Sequence, residues 1–130
     1  MSLLLCVFTR YSVLGGGLSN TAATTYSVVG GGASNSVNGP YGTLNGGRSN
    51  NVFGPFGVIA GGNSNSAYGS FTVVGGGSIN IAADGGTIAG GQSNDASLYV
   101  TPMHNSRHTI CGWHAKSNSF VCNDRPSDEV

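Results

Sequence analysis

Residues 26–40 read YSVVGGGASNSVNGP, residues 41–55 read YGTLNGGRSNNVFGP, and residues 56–70 read FGVIAGGNSNSAYGS. Each stretch returns an aromatic, an aliphatic, a glycine pair and an asparagine to the same place. Across the chain the pairs are Gly16-Gly17, Gly31-Gly32, Gly46-Gly47, Gly61-Gly62, Gly76-Gly77 and Gly90-Gly91, with spacings of 15, 15, 15, 15 and 14. Six copies therefore run from Tyr11 to about Leu98. A fixed period of this kind is the primary sign of a repeat architecture.

The columns of the repeat have physical readings. Position 1 holds Tyr11, Tyr26, Tyr41, Phe56 and Phe71, then Gly85. Position 3 is β-branched throughout, from Val13 to Thr87. Position 4 is aliphatic: Leu14, Val29, Leu44, Ile59, Val74 and Ile88. Position 10 is Asn20, Asn35, Asn50, Asn65, Asn80 and Asn94, and position 12 is Ala or Val. A 15-residue unit is too short for a helical hairpin repeat, and a glycine pair in every unit opposes helix. Two short strands and two turns fit. Stacked at the strand spacing of ~4.8 Å, six coils make a β-solenoid about 29 Å long. Positions 4 and 12 then face each other in a thin core. The glycines meet a need for positive φ or close backbone approach. The asparagines close turns and stack as a ladder.

Such a core is marginal against a backbone entropy cost of about 1–2 kcal/mol per residue. Five aromatics in a row form a stripe too large to leave in water. The expectation is that this stripe, with position 3, is buried between subunits of a symmetric homo-oligomer. The alternative is that the rings stack over their own roll. Between Tyr11 and Leu98 the only charged residues are Arg48, Asp84 and Asp95, which suits surface lost to an interface. Net charge is zero and charged residues are 8% of the chain, so bulk electrostatics attracts neither nucleic acid nor an acidic membrane surface. The apolar run from Leu3 to Phe8 is too short to span a bilayer. Residues 1–10 read as a cap or edge strand feeding the array.

The unit YSVVGGGASNSVNG, with its Ser-Val-x-x-Gly and Asn-x-Ala/Val-x-Gly pieces, resembles the head repeats of trimeric autotransporter adhesins, and Gly/Asn-rich repeats of phage and viral fibre proteins look similar. The resemblance covers residues 11–98. It implies a left-handed β-roll, three of which pack side by side in a homotrimer. It departs from that pattern in the 15-residue unit, the Gly-Gly and the leading aromatic, and no heptad pattern follows Leu98. The pieces NSVNG (35–39) and NNVFG (50–54) also resemble plant β-roll ice-binding proteins. That activity implies a regular hydroxyl face, which positions 2 and 3 lack.

Residues 99–130 form a separate module, expected to cap the open coil. They carry six of the ten charged residues, all three His, the only Trp and two of the three Cys. TICGWHA and SFVCN read as two strands of a hairpin. Cys111 and Cys122 can pair as a disulfide across it in an exported chain, or stay as buried thiols. His104, His108, Cys111 and His114 are dense enough to suggest zinc, but their spacing matches no standard finger; no metal or other cofactor is expected. Ser119, His114 and Asp124 lack the context of a catalytic triad, so no enzyme activity is expected.

The sequence points to an all-β solenoid that acts as a structural or adhesive fibre module on a cell surface or virion. Its partners are copies of itself and a host-surface glycan or protein receptor, with no nucleic acid and no membrane insertion. Recognition belongs to the columns that vary: position 8 (Leu18, Ala33, Arg48, Asn63, Ser78, Gln92) and position 13 (Ala23, Asn38, Phe53, Tyr68, Ala83, Ser97). The alternatives are a self-assembling filament subunit stacking end to end and an ice- or carbohydrate-binding solenoid.

Overall fold

The computed structural model describes residues 10–96, together with the backbone of Cys6–Val7 and Thr109–Ile110. Its strands are two residues long. In chain order they are β1 (Cys6–Val7), β2 (Val13–Leu14), β3 (Thr21–Ala22), β4 (Val28–Val29), β5 (Ser36–Val37), β6 (Thr43–Leu44), β7 (Asn51–Val52), β8 (Val58–Ile59), β9 (Ser66–Ala67), β10 (Val73–Val74), β11 (Ile81–Ala82), β12 (Thr87–Ile88), β13 (Asp95–Ala96) and β14 (Thr109–Ile110). Odd-numbered strands form one parallel sheet, even-numbered strands the other. Register advances by one repeat per rung, as in Val28↔Thr43 and Ser36↔Asn51. The molecule is a parallel β-solenoid of about six coils.

Each strand points one residue inward and one outward, because successive side chains alternate across the pleat. The inward residues are those of positions 4 and 12. Val29, Leu44, Ile59, Val74 and Ile88 face Ala22, Val37, Val52, Ala67, Ala82 and Ala96, and together they form the buried core with Leu14 against it. The outward residues of positions 3 and 11 are half-buried to exposed. The core is therefore one aliphatic and one small residue deep per coil, as the periodicity requires.

The sequence reading expects two β segments per coil, and the structure adds a third line of contact. Leu18, Ala33, Arg48, Asn63, Ser78 and Gln92 form successive parallel bridges. Each bridge is a single residue because the next position is left-handed: Ser19, Ser34, Ser49, Ser64, Ile79 and Ser93 have φ of 55–57°. There the N–H turns back toward the preceding coil, as in Ser49 N–H to the Ala33 carbonyl at 2.9 Å. Most other main-chain donors point forward, as in Thr43 N–H to the Gly57 carbonyl at 2.9 Å. Gly47 shows why the second glycine of the pair is fixed. Its φ is 89°, and a β-carbon there would strike the Gly62 carbonyl oxygen and lie 2.7 Å from Asn50 Nδ2.

The asparagines do stack, with a different chemistry from an amide-to-amide ladder, and they are not the left-handed residues. Asn35 Oδ1 accepts the Asn50 backbone N–H at 3.0 Å. Asn35 Nδ2 donates to the Gly31 carbonyl and to the Gly47 carbonyl, both at 2.9 Å. Asn20, Asn50, Asn65 and Asn80 repeat this pattern, and Asn94 is the exception, its Nδ2 reaching Asn80 Oδ1 at 3.1 Å. These amides are buried and satisfied, which is the condition for a polar group to sit in a core. They bind the glycine turns of neighbouring coils to one another.

Both ends of the array gain a strand. β1 pairs with β3 and β14 pairs with β12, each in parallel. Thr109–Ile110 is the start of TICGWHA, so this segment adds a rung to the second sheet. The remainder of the expected hairpin lies outside the described residues, and so do Leu98, Cys111, Cys122, His104, His108 and His114.

Candidate functional site

The aromatic column is the most conspicuous feature of the surface. Tyr11, Tyr26, Tyr41, Phe56 and Phe71 stack in sequence with ring centroids 4.9–5.1 Å apart and interplanar angles of 1–10°. The spacing is that of the coils, so the solenoid itself sets the stacking. Each ring is nearly parallel to its neighbour, at a centroid separation within the range of attractive aromatic pairs.

Every residue of the column is also left-handed, with φ of 57–63°. A non-glycine residue in this region costs roughly 1–2 kcal/mol. The conformation turns the N–H of Phe56 back to the Pro40 carbonyl at 3.0 Å and that of Phe71 to the Pro55 carbonyl at 3.1 Å, and it places the rings in line. Strain maintained at the same corner of five coils marks a feature worth a functional reading.

Of the two arrangements open from the sequence, stacking along the roll is present, yet it leaves the rings wet. Their exposure runs from 45% at Tyr26 and Phe56 to 70% at Tyr11. Beside them Val13 and Val73 of position 3 are also exposed. With 150–250 Å² per ring, roughly 100 Å² of each stays in water, about 500 Å² for the column. The position 3 valines bring the patch toward the roughly 800 Å² per partner of a standard protein interface.

The variable columns are placed on the surface. In position 8, Leu18, Arg48, Asn63 and Gln92 are exposed while Ala33 and Ser78 are half-buried. In position 13, Phe53 and Tyr68 form a second, shorter stack at 4.8 Å and 2°. Ser97 lies outside the described residues. The serines of position 9, exposed except for the half-buried Ser49 and interrupted by Ile79, form a further surface column that the sequence reading passed over. Its signal was present in the recurring Ser-Asn dipeptide.

The fourteen-residue coil changes this surface. Where other coils have a three-residue corner such as Gly69-Ser70-Phe71, the next rung has Asp84-Gly85. Gly85 takes the left-handed place with φ of 71°, so the aromatic column stops at Phe71. Proline stands at this corner in two earlier coils, at Pro40 and Pro55, where no donor is present. Ser70 does carry an N–H, and Asp84 Oδ1 accepts it at 3.0 Å.

Among the described residues no group of His, Cys, Asp and Glu is arranged to hold a metal ion, and no helix is long and apolar enough to cross a membrane. The fold and its surface define a parallel β-solenoid repeat protein with an exposed aromatic ladder. No protein-family model matches the chain, and comparison with curated proteins and with solved structures gives no match.

Proposed function

We propose that this chain is a non-catalytic structural module that self-associates along its aromatic column, as a fibre or adhesin-head element displayed on a cell surface or virion. The observation that carries the reading is a five-ring apolar ladder, held in line by strained backbone, that one chain leaves exposed. Apolar patches of this size on soluble proteins mark interaction surfaces. The near-uncharged array suits lateral packing, because no like charges need be brought together. Closed homotrimerisation fits the resemblance to adhesin heads and makes a stiff shaft whose backbone is paired from coil to coil. The exposed variable columns at positions 8 and 13 remain available to a glycan or protein receptor.

A second reading is end-to-end growth into a filament, favoured by the main-chain groups of parallel sheets at both ends of a solenoid. Light scattering after size exclusion separates the two. A closed assembly gives one mass at all concentrations, expected at three chains. Mass that grows with concentration favours the filament. A stable monomer overturns self-association along the column.

A further inference from the structure

We propose that the corner where the aromatic column stops is a binding site for an organic cation, such as a substituted ammonium group. On the rung before the short corner, Tyr68 and Phe71 stand on either side of Gly69-Ser70. Tyr68 is covered on one face by Phe53, and Phe71 on one face by Phe56. On the next rung the two columns that supplied those rings hold Ala83 and Gly85. Neither residue carries a ring, so among the described residues the outer face of Tyr68 and that of Phe71 have no aromatic neighbour. Both residues are among the most exposed apolar side chains described, at 54% and 66%.

Between these two columns on that next rung sits Asp84. Its backbone lies directly over Gly69, where a β-carbon would strike the Asp84 nitrogen. Its Oδ1 accepts the Ser70 N–H, which ties the carboxylate to the corner between the columns, and the residue is exposed. Asp84 is the only acidic residue among residues 10–94, and the only cationic residues there are Arg10 and Arg48. Two uncovered aromatic faces flanking a fixed carboxylate suit a cation with an apolar surface. The ring quadrupoles attract its charge, the carboxylate neutralises it, and its methyl or methylene groups pack on the rings. The interior of the column offers no such site, because its ring faces are taken by their neighbours.

Tyr68 and Asp84 stand off the column, and the site takes from the column only the end face of Phe71, which lateral packing against the ring edges leaves open. The test is a titration of the intact chain with tetramethylammonium chloride, followed by NMR of the aromatic side chains against sodium chloride at matched ionic strength. Saturable shifts confined to Tyr68 and Phe71, with Tyr26 and Phe53 unmoved, are expected. Asp84→Asn keeps an acceptor for the Ser70 N–H and is expected to weaken binding at least tenfold. Ala83→Phe and Gly85→Phe extend the two stacks over the free faces and are expected to abolish the shifts of Tyr68 and Phe71 respectively. Shifts spread over all rings, or shifts that survive Asp84→Asn, overturn the proposal. So does a response of the same rings to methyl β-glucopyranoside without one to tetramethylammonium, which would make the corner a sugar platform. Oligomeric mass measured on the same samples reports separately on the assembly.

Discussion

Gly42 lies so close to Val37 that a β-carbon on it would sit 2.6 Å from Val37 Cγ1. The two residues are linked by volume. Where position 12 is Val, as in Val37 and Val52, the next position 2 is Gly42 or Gly57, both under a valine Cγ1. Where position 12 is Ala, as in Ala22 and Ala67, the next position 2 is Ser27 or Thr72, fully buried. The four fifteen-residue corners thus fill this part of the core to the same extent with different residues, as close packing demands, and the shortened corner, with Ala82 and Gly86, is the exception. Gly42→Ser alone is expected to destabilise by about 1–3 kcal/mol through overpacking. Val37→Ala combined with Gly42→Ser recreates the Ala22/Ser27 pair, whose hydroxyl donates to the Thr24 carbonyl at 2.6 Å. The double variant is expected to recover on the order of 1 kcal/mol over the sum of the singles in a denaturant cycle. Additive effects would show that the corner is loosely packed.

The asparagine column makes a sharper demand. Asn50 Nδ2 donates to the Gly46 and Gly62 carbonyls at 3.1 and 3.0 Å, and Asn50 Oδ1 accepts the Asn65 N–H at 2.9 Å. Asn50→Ala leaves those groups buried and unpaired, at a cost of about 1–3 kcal/mol for each group that water fails to reach. Asn50→Asp keeps one acceptor but turns a carboxyl toward two carbonyls. Burial raises that carboxyl's pKa above the ordinary value of about 3.9. The folded chain then holds the proton more tightly than the unfolded chain, so stability is highest in acid and falls as pH rises through the raised pKa. Urea midpoints between pH 3 and 8 check this. A flat profile would contradict the burial of the column.

Ile79 is the one β-branched residue placed at the left-handed corner that Ser occupies in the other coils, with φ of 57°. Its side chain is half exposed, so packing returns little for the strain. Ile79→Ser is expected to stabilise by about 1 kcal/mol, read as a higher melting temperature. An unchanged or lower value would mean that Ile79 packs against something in the assembled protein.

Thr24 Oγ1 is buried without a hydrogen-bond partner. Thr24→Val keeps the shape and removes the hydroxyl. It is expected to raise stability by about 1 kcal/mol, because an unpaired buried polar group carries its full desolvation cost. A loss of stability would assign that hydroxyl a partner.

The sequence made the core legible because its two inward columns never vary in kind: Leu14 to Ile88 on one side, Ala22 to Ala96 on the other. The glycine pair and the asparagine were equally fixed; the close approach at Gly47 followed from residue type, but the bonding of Asn35 to the Gly31 and Gly47 carbonyls and to the Asn50 N–H did not. The left-handed corners were not legible. Tyr and Phe have no intrinsic preference for that region; the coil's backbone sets it, through bonds such as Phe56 N–H to the Pro40 carbonyl, and Gly85 takes the same place without a ring. The third line of contact through Arg48 was hidden because backbone bridging leaves no mark on side-chain identity. The site at Asp84 was visible only as a spacing of 14 in place of 15. Its meaning required knowing that Tyr68 and Phe71 lie on the rung before it.

Under the proposed self-association the ring edges of the column from Tyr11 to Phe71 are covered, while Tyr68 stays exposed. Within one chain Tyr26, Tyr41 and Tyr68 are similarly exposed, at 45%, 50% and 54%. Hydroxyl-radical labelling of the native protein, read residue by residue by mass spectrometry, compares them directly. Strong protection of Tyr26 and Tyr41 with Tyr68 freely labelled is expected, with loss of that protection on dilution to single chains. Equal labelling of all three tyrosines in the native protein would contradict it.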